Sequence, residues 1–127
     1  MDRAYYLKLA ENGTRMAIAT HLVLHDHADH EEILRDGQRL GALLSEAATY
    51  FNSPLAMPVM DLTMEKEALL LAYGIAEADI DTYHFREDPG PDWDIPLTER
   101  QKVTCEALAY VAKEGKYIST GMGIGPF

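Results

Sequence analysis

Apolar and polar positions alternate along the chain in blocks that change period. Asp2 to Glu11 carries Ala4, Tyr5, Leu7, Leu9 and Ala10 and reads as a short helix, closed by Asn12-Gly13. Met16 to Leu24 is a nearly continuous run of Ile, Thr, Val and Leu among other small or apolar residues, which predicts a strand buried on both faces. Asp26 to His30 is turn-like, and Asp29 with Glu32 fits a helix-opening capping box. Ile33, Leu40, Leu44, Ala47 and Phe51 then repeat at helical spacing, with Leu34, Leu43 and Ala48 widening the stripe. Asn52-Ser53-Pro54 ends that helix.

A second apolar run, Leu55 to Met60, predicts a strand that ends at Asp61. Thr63 is placed to cap a helix over Met64 to Tyr73, stopped by Gly74. Asp79 to Phe85 alternates like a short strand, and Glu87 to Pro96, rich in proline, reads as a loop. Thr98 and Gln101 form a capping-box pattern before a helix with Val103, Cys105, Ala107, Leu108, Val111 and Ala112, ended by Gly115. Lys116 to Gly123 predicts a last strand. Buried strands alternating with helices indicate an α/β fold with a parallel sheet. A terminal parallel strand without a covering helix leaves a face and an edge open, so the chain reads as the first part of something larger.

Composition narrows this picture without changing it. The chain has 127 residues, 47% of them hydrophobic and 25% charged, as expected of one globular domain. A formal net charge of −10 disfavours nucleic acid and anionic membrane surfaces as partners. Cys105 is the only cysteine, so no internal disulfide forms, which suits a reducing compartment. Residues 1–15 show no signal-peptide pattern, and no run approaches the ~18 apolar residues of a membrane span. The expected location is cytoplasmic.

Four segments in this order carry a family likeness: Thr14–Leu24, Pro54–Leu62 with Asp61, Ala68–Gly74 and Gly121–Phe127. Together they resemble the uroporphyrinogen decarboxylase superfamily, which includes the decarboxylases and the methylcobamide:coenzyme M methyltransferases. The resemblance implies a partial (β/α)8 TIM barrel, with residues 1–127 as its N-terminal part and three barrel strands in a parallel sheet. Eight β/α units need about 250 residues. The decarboxylases follow the first strand with arginines that grip substrate carboxylates. Here the strand leads instead into His21-Leu-Val-Leu-His25-Asp-His27, without arginine. That favours the methyltransferase branch, with methyl transfer from a methylated corrinoid protein to a thiol or folate acceptor. A tetrapyrrole decarboxylase is the runner-up, and a non-catalytic or split-barrel piece is the alternative of another class. Zinc and a corrinoid are implied for the complete enzyme, the zinc ligands lying beyond this region, and neither is expected on this chain alone. Three strands cannot close a barrel, so self-association or a completing polypeptide is expected.

The candidate residues follow from position and from the likeness. His21, His25, His27 and His30 form a cluster whose ordinary reading is a polar loop and helix cap. The likeness would turn His21 or His25 toward a ligand at the barrel mouth. Cys105 reads as a small core residue, and Trp93 as a loop anchor. Met60 and Met122 lie near strand ends, where they can line an apolar cleft. Asp61 directly follows an apolar strand. It either caps the next helix, a task open to Thr63 as well, or faces the active-site pole at the strand's C-terminal end. The likeness assigns it the essential carboxylate, with His21 as a partner.

Overall fold

The computed structural model describes residues 2–14, 16, 18–61, 63–86 and 95–120. Helices α1 (Arg3–Glu11), α2 (Thr20–His25), α3 (His30–Ile33) and α4 (Gly37–Tyr50) precede strand β1 (Leu55–Ala56). Helix α5 (Met64–Ala72), a 3-10 turn at Glu77–Asp79, helix α6 (Glu99–Glu114) and strand β2 (Ile118–Ser119) follow. β1 and β2 pair in parallel, Leu55 opposite Ile118 and Ala56 opposite Ser119, in an α/β arrangement with a two-stranded sheet.

The clearest sequence signals survive: α6 opens with the full Thr98–Gln101 capping box. At α1 the structure adds a cap that the sequence reading left unassigned, Asp2 accepting from the Tyr5 amide at 3.1 Å. α6 closes at Gly115, whose φ of 67° is the left-handed conformation that glycine adopts without strain. α5 covers Met64–Ala72, as its spacing predicts.

Three predicted elements are corrected. The expected strand over Met16–Leu24, the first of three barrel strands, is a helix from Thr20 onward. The run hides a helical period, because Thr20, Val23 and Leu24 are buried while His21, Leu22 and His25 are exposed. β-branched content masked that period. The strand expected over Asp79–Phe85 is instead a 3-10 turn continued by a tight turn, in which the Thr82 and Tyr83 amides both bond to the Asp79 carbonyl. The single long helix expected from Ile33 to Phe51 is two helices. Asp36 accepts from the Gln38 and Arg39 amides and starts α4 afresh. Asp29 and Glu32 make no capping box; both pair with Arg39.

The core forms where α4 lies against α6 and the sheet. Leu40, Leu43, Leu44 and Ala47 of α4 meet Ala107 and Val111 of α6, with Val23, Leu24 and Ile33 closing one end. Two glycines permit the close approach. A Cβ on Gly41 would lie 2.7 Å from the Cβ, Cγ and Cδ1 of Tyr110, and one on Gly37 would collide with Glu106. One turn further on, Ser45 donates to Glu114 at 2.7 Å. Gly37, Gly41 and Ser45 thus make a shallow groove that receives Glu106, Tyr110 and Glu114.

The strand expected over Leu55–Met60 keeps only its first two residues in the ladder, and the reason is visible at its outer edge. Ile118 donates to the Pro54 carbonyl and Thr120 to the Ala56 carbonyl, so Leu55 and Met57 turn their polar groups away from β2. The buried Ser53 hydroxyl accepts from the Leu55 amide at 3.1 Å and donates to the Leu55 carbonyl at 2.8 Å. The buried Thr20 hydroxyl of α2 donates to the Met57 carbonyl at 2.9 Å. Side-chain hydroxyls thus occupy the edge where a neighbouring strand over Met16–Leu24 was expected. Thr20→Val should cost about 1–3 kcal/mol, because a buried carbonyl loses its donor while shape is kept. Denaturant unfolding measures this, and a change below ~0.5 kcal/mol would show that the bond carries little of the α2 docking.

Candidate functional site

After β1 the chain runs through Met57–Met60 to Asp61, at the C-terminal side of the strand. One Asp61 oxygen, Oδ1, accepts from the Thr63 amide at 3.0 Å and from the Thr63 hydroxyl at 2.9 Å. The other, Oδ2, is ion-paired with Arg100 Nη2. Asp61 therefore braces the turn into α5 and, at the same time, meets a cation from α6. Thr63 occupies the N-cap position of α5 but gives that helix no side-chain bond, since its hydroxyl is turned back to Asp61.

Arg100 sits in the first turn of α6, placed there by the capping box two residues earlier. Its Nη1 donates to Glu67 Oε1 of α5 at 3.1 Å, so a single guanidinium joins Asp61 to Glu67. The Gln101 side chain adds a bond to the Met64 carbonyl at 3.1 Å, fastening α6 to the start of α5. Glu67 is 93% buried, taking its 7% exposure, and its Oε2 atom has no hydrogen-bond partner. Burial pushes its carboxyl above the ordinary carboxylate range, and the charge on Glu77 pushes the same way.

That shift has a sign that can be measured. The folded carboxyl holds its proton more tightly than the unfolded one. Stability is therefore gained as pH falls through the folded value toward the ordinary carboxylate value, and lost as pH rises. Glu67→Gln removes the titration. As pH falls from neutrality through the raised folded value toward the ordinary carboxylate value, wild type should gain stability relative to Glu67→Gln. A constant difference across that window would contradict the assignment.

Asp61 and Arg100 stand on the wall of a cavity of about 380 Å³. Leu34, Leu40, Val59, Met60 and Met64 supply its apolar lining, Thr104 a hydroxyl, and Glu31 and Arg35 two further charges. Asp61 and Met60, two of the residues singled out in the sequence, are thus brought together. His21 and His25 do not line this cavity. Both are exposed on α2, and the His25 ring meets His30 edge-on at 5.5 Å. His27 pairs with Glu46 at 3.1 Å, over a separate hollow on the other side of α3 and α4. The partner of Asp61 is Arg100, where the likeness supplied His21; the correction follows from α2 being a helix that carries His21 to the surface. Met122 and Trp93 lie outside the described residues. Cys105 is exposed rather than in the core.

Sequence reasoning passed over Arg100, Glu67 and Arg35. A signal existed for Glu67: it stands among Leu69, Leu70 and other apolar residues of α5, and a charge in such a stripe asks for a buried partner. Arg100 had only its place beside a capping box, which marks a helix start and no contact.

Among the described residues no group of three or more His, Cys, Asp or Glu side chains is placed to hold a metal ion. Among the described residues the one cysteine is exposed and His21 and His25 lie apart from Asp61. No helix among the described residues is long and apolar enough to cross a membrane. Comparison with protein-family models, curated proteins and solved structures finds no match to this chain.

Proposed function

We propose that the chain is the N-terminal part of a larger parallel α/β enzyme of the corrinoid-dependent methyltransferase kind, with the Asp61 cavity at its functional pole. The observation that carries this reading is the position of Asp61: a carboxylate on the C-terminal side of a parallel strand, beyond the irregular stretch Met57–Met60, on the wall of a mainly apolar cavity. Parallel α/β enzymes place their chemistry at that pole, whether the sheet is open or closed into a barrel. The resemblance of Pro54–Leu62 and its neighbours supplies the reaction class, methyl transfer from a methylated corrinoid protein to a thiol or folate acceptor.

In the barrel form of this reading, β1 and β2 are neighbouring barrel strands, and α2 to α4 pack outside them. β1 then has its second neighbour only if the Thr20 and Ser53 hydroxyls yield the outer edge to another strand. Cytoplasmic residence and completion by further polypeptide belong to the same proposal. Asp61 has a defined task in it. Held at one oxygen by Thr63 and at the other by Arg100, it presents a fixed negative charge beside apolar Met60 and Met64. Arg100 pairs with that carboxylate, and Glu67 holds Arg100 in place.

The test is an assay of the complete enzyme with methylcobalamin and a thiol, followed by loss of the methyl–cobalt absorbance. Thiol-dependent demethylation supports the reading. Decarboxylation of a tetrapyrrole polycarboxylate without demethylation would replace it with the decarboxylase reading. Neither activity would leave an assembly piece without catalysis and overturn it.

A further inference from the structure

The cavity beside Asp61 contains two guanidinium groups in unlike states. Arg100 is committed, its two nitrogens taken by Asp61 and Glu67. Arg35 stands in the turn between α3 and α4, lines the same cavity and has no ion pair among the described residues. Of the cavity's two carboxylates, Asp61 is engaged with Arg100 and Thr63, while Glu31 is exposed and lies 3.7 Å from His30 Nε2, an ion pair only when that imidazole is protonated. What remains is one cation, Arg35, without an ion pair among the described residues, on a hollow lined by Leu40, Val59, Met60 and Met64.

We infer that this cavity binds a small amphipathic monocarboxylate, its carboxylate on Arg35 and its hydrocarbon part over Met60 and Met64. Three physical arguments select that chemistry. The guanidinium fork matches a carboxylate with two parallel N–H bonds, and these are the stronger kind because both partners are charged. The apolar wall rewards an apolar body on the ligand. A volume of about 380 Å³ lies within the ~300–1,000 Å³ of small-molecule clefts and admits a medium-length chain or a single ring. A chain with net charge −10 repels anions at long range, so anion binding here requires a local cation such as Arg35. The inference rests on the cavity alone and stands or falls separately from methyl transfer.

The experiment titrates the full 127-residue chain with octanoate, octanol and octylammonium, followed by methyl resonances of methionine, leucine and valine. The expected result is saturable shifts at Met60, Met64 and Val59 with octanoate, and binding about tenfold or more weaker for octanol. Arg35→Gln, an exposed substitution, should bring octanoate down to the level of octanol, while Arg39→Gln on the far face of α4 should leave it unchanged. Equal binding of octanoate and octanol, indifferent to Arg35→Gln, would overturn the inference by showing an apolar hollow without anion recognition. Preference for octylammonium would overturn it in favour of the Asp61 and Glu31 carboxylates. Absence of any saturable shift would overturn it as well.

Discussion

Gly41→Leu is expected to lower the stability of the chain by about 3 kcal/mol or more, the largest effect of any single change considered. Even the first carbon of a side chain at Gly41 would fall 2.7 Å from three atoms of Tyr110, and the residues behind it, Leu40 and Leu44, are buried and cannot retreat. α4 and α6 would have to separate, and their contact is most of the core. Gly41→Ala separates two opposing effects. Alanine favours a helix interior by about 1 kcal/mol over glycine, yet here it must displace Tyr110. A net loss in Gly41→Ala, recovered when Tyr110 is also made alanine, identifies the clash. Equilibrium denaturation of the two single variants and the double variant gives the coupling. Additive effects in the double variant would mean that the helices are not held at this distance.

What could be read in the sequence was whatever depends on neighbours along the chain. The cap at Thr98, the glycine stop at Gly115 and the apolar spacing of α5 and α6 are all local, and each is found in the structure. That strands near Leu55 and Ile118 belong to a parallel sheet was also legible, because both runs are short and separated by helices; their pairing was not. The Met16–Leu24 run was not. Its composition suits a strand, and only the docking of Thr20, Val23 and Leu24 against α4 and the Met57 carbonyl selects a helix. Tertiary contacts decided against β propensity there. The site divides in the same way. Asp61 could be picked out because a carboxylate closing an apolar strand is conspicuous in one dimension. Arg100 lies 39 positions later and Glu67 six later, and their meeting with Asp61 depends on how α5 and α6 cross. No spacing along the chain encodes that.

Asp61→Asn carries the second large effect and the sharpest distinction. Asparagine keeps an oxygen to accept from the Thr63 amide, so the turn into α5 should survive, but it removes the negative charge that faces Arg100 and the cavity. The lost ion pair is partly exposed, with side-chain exposures of 46% for Arg100 and 25% for Asp61, and pairs of that kind contribute only about 1 kcal/mol or less. A charge placed to stabilise reacting groups contributes far more, roughly 100-fold or more in turnover. Arg100→Gln should cost more stability than Asp61→Asn, because it also takes the charged partner from the buried Glu67 carboxylate. It should reduce turnover less, since it loosens the carboxylate without removing it.

The decisive measurement is therefore the turnover of Asp61→Asn in the methyltransferase proposed above, made together with its unfolding midpoint. A folded variant within about 1 kcal/mol of wild type but reduced roughly 100-fold or more in turnover is the result expected if Asp61 serves the reaction. Turnover within about twofold of wild type, with only the small stability loss, would make Asp61 a brace for the α5 turn and contradict the placement of the functional pole.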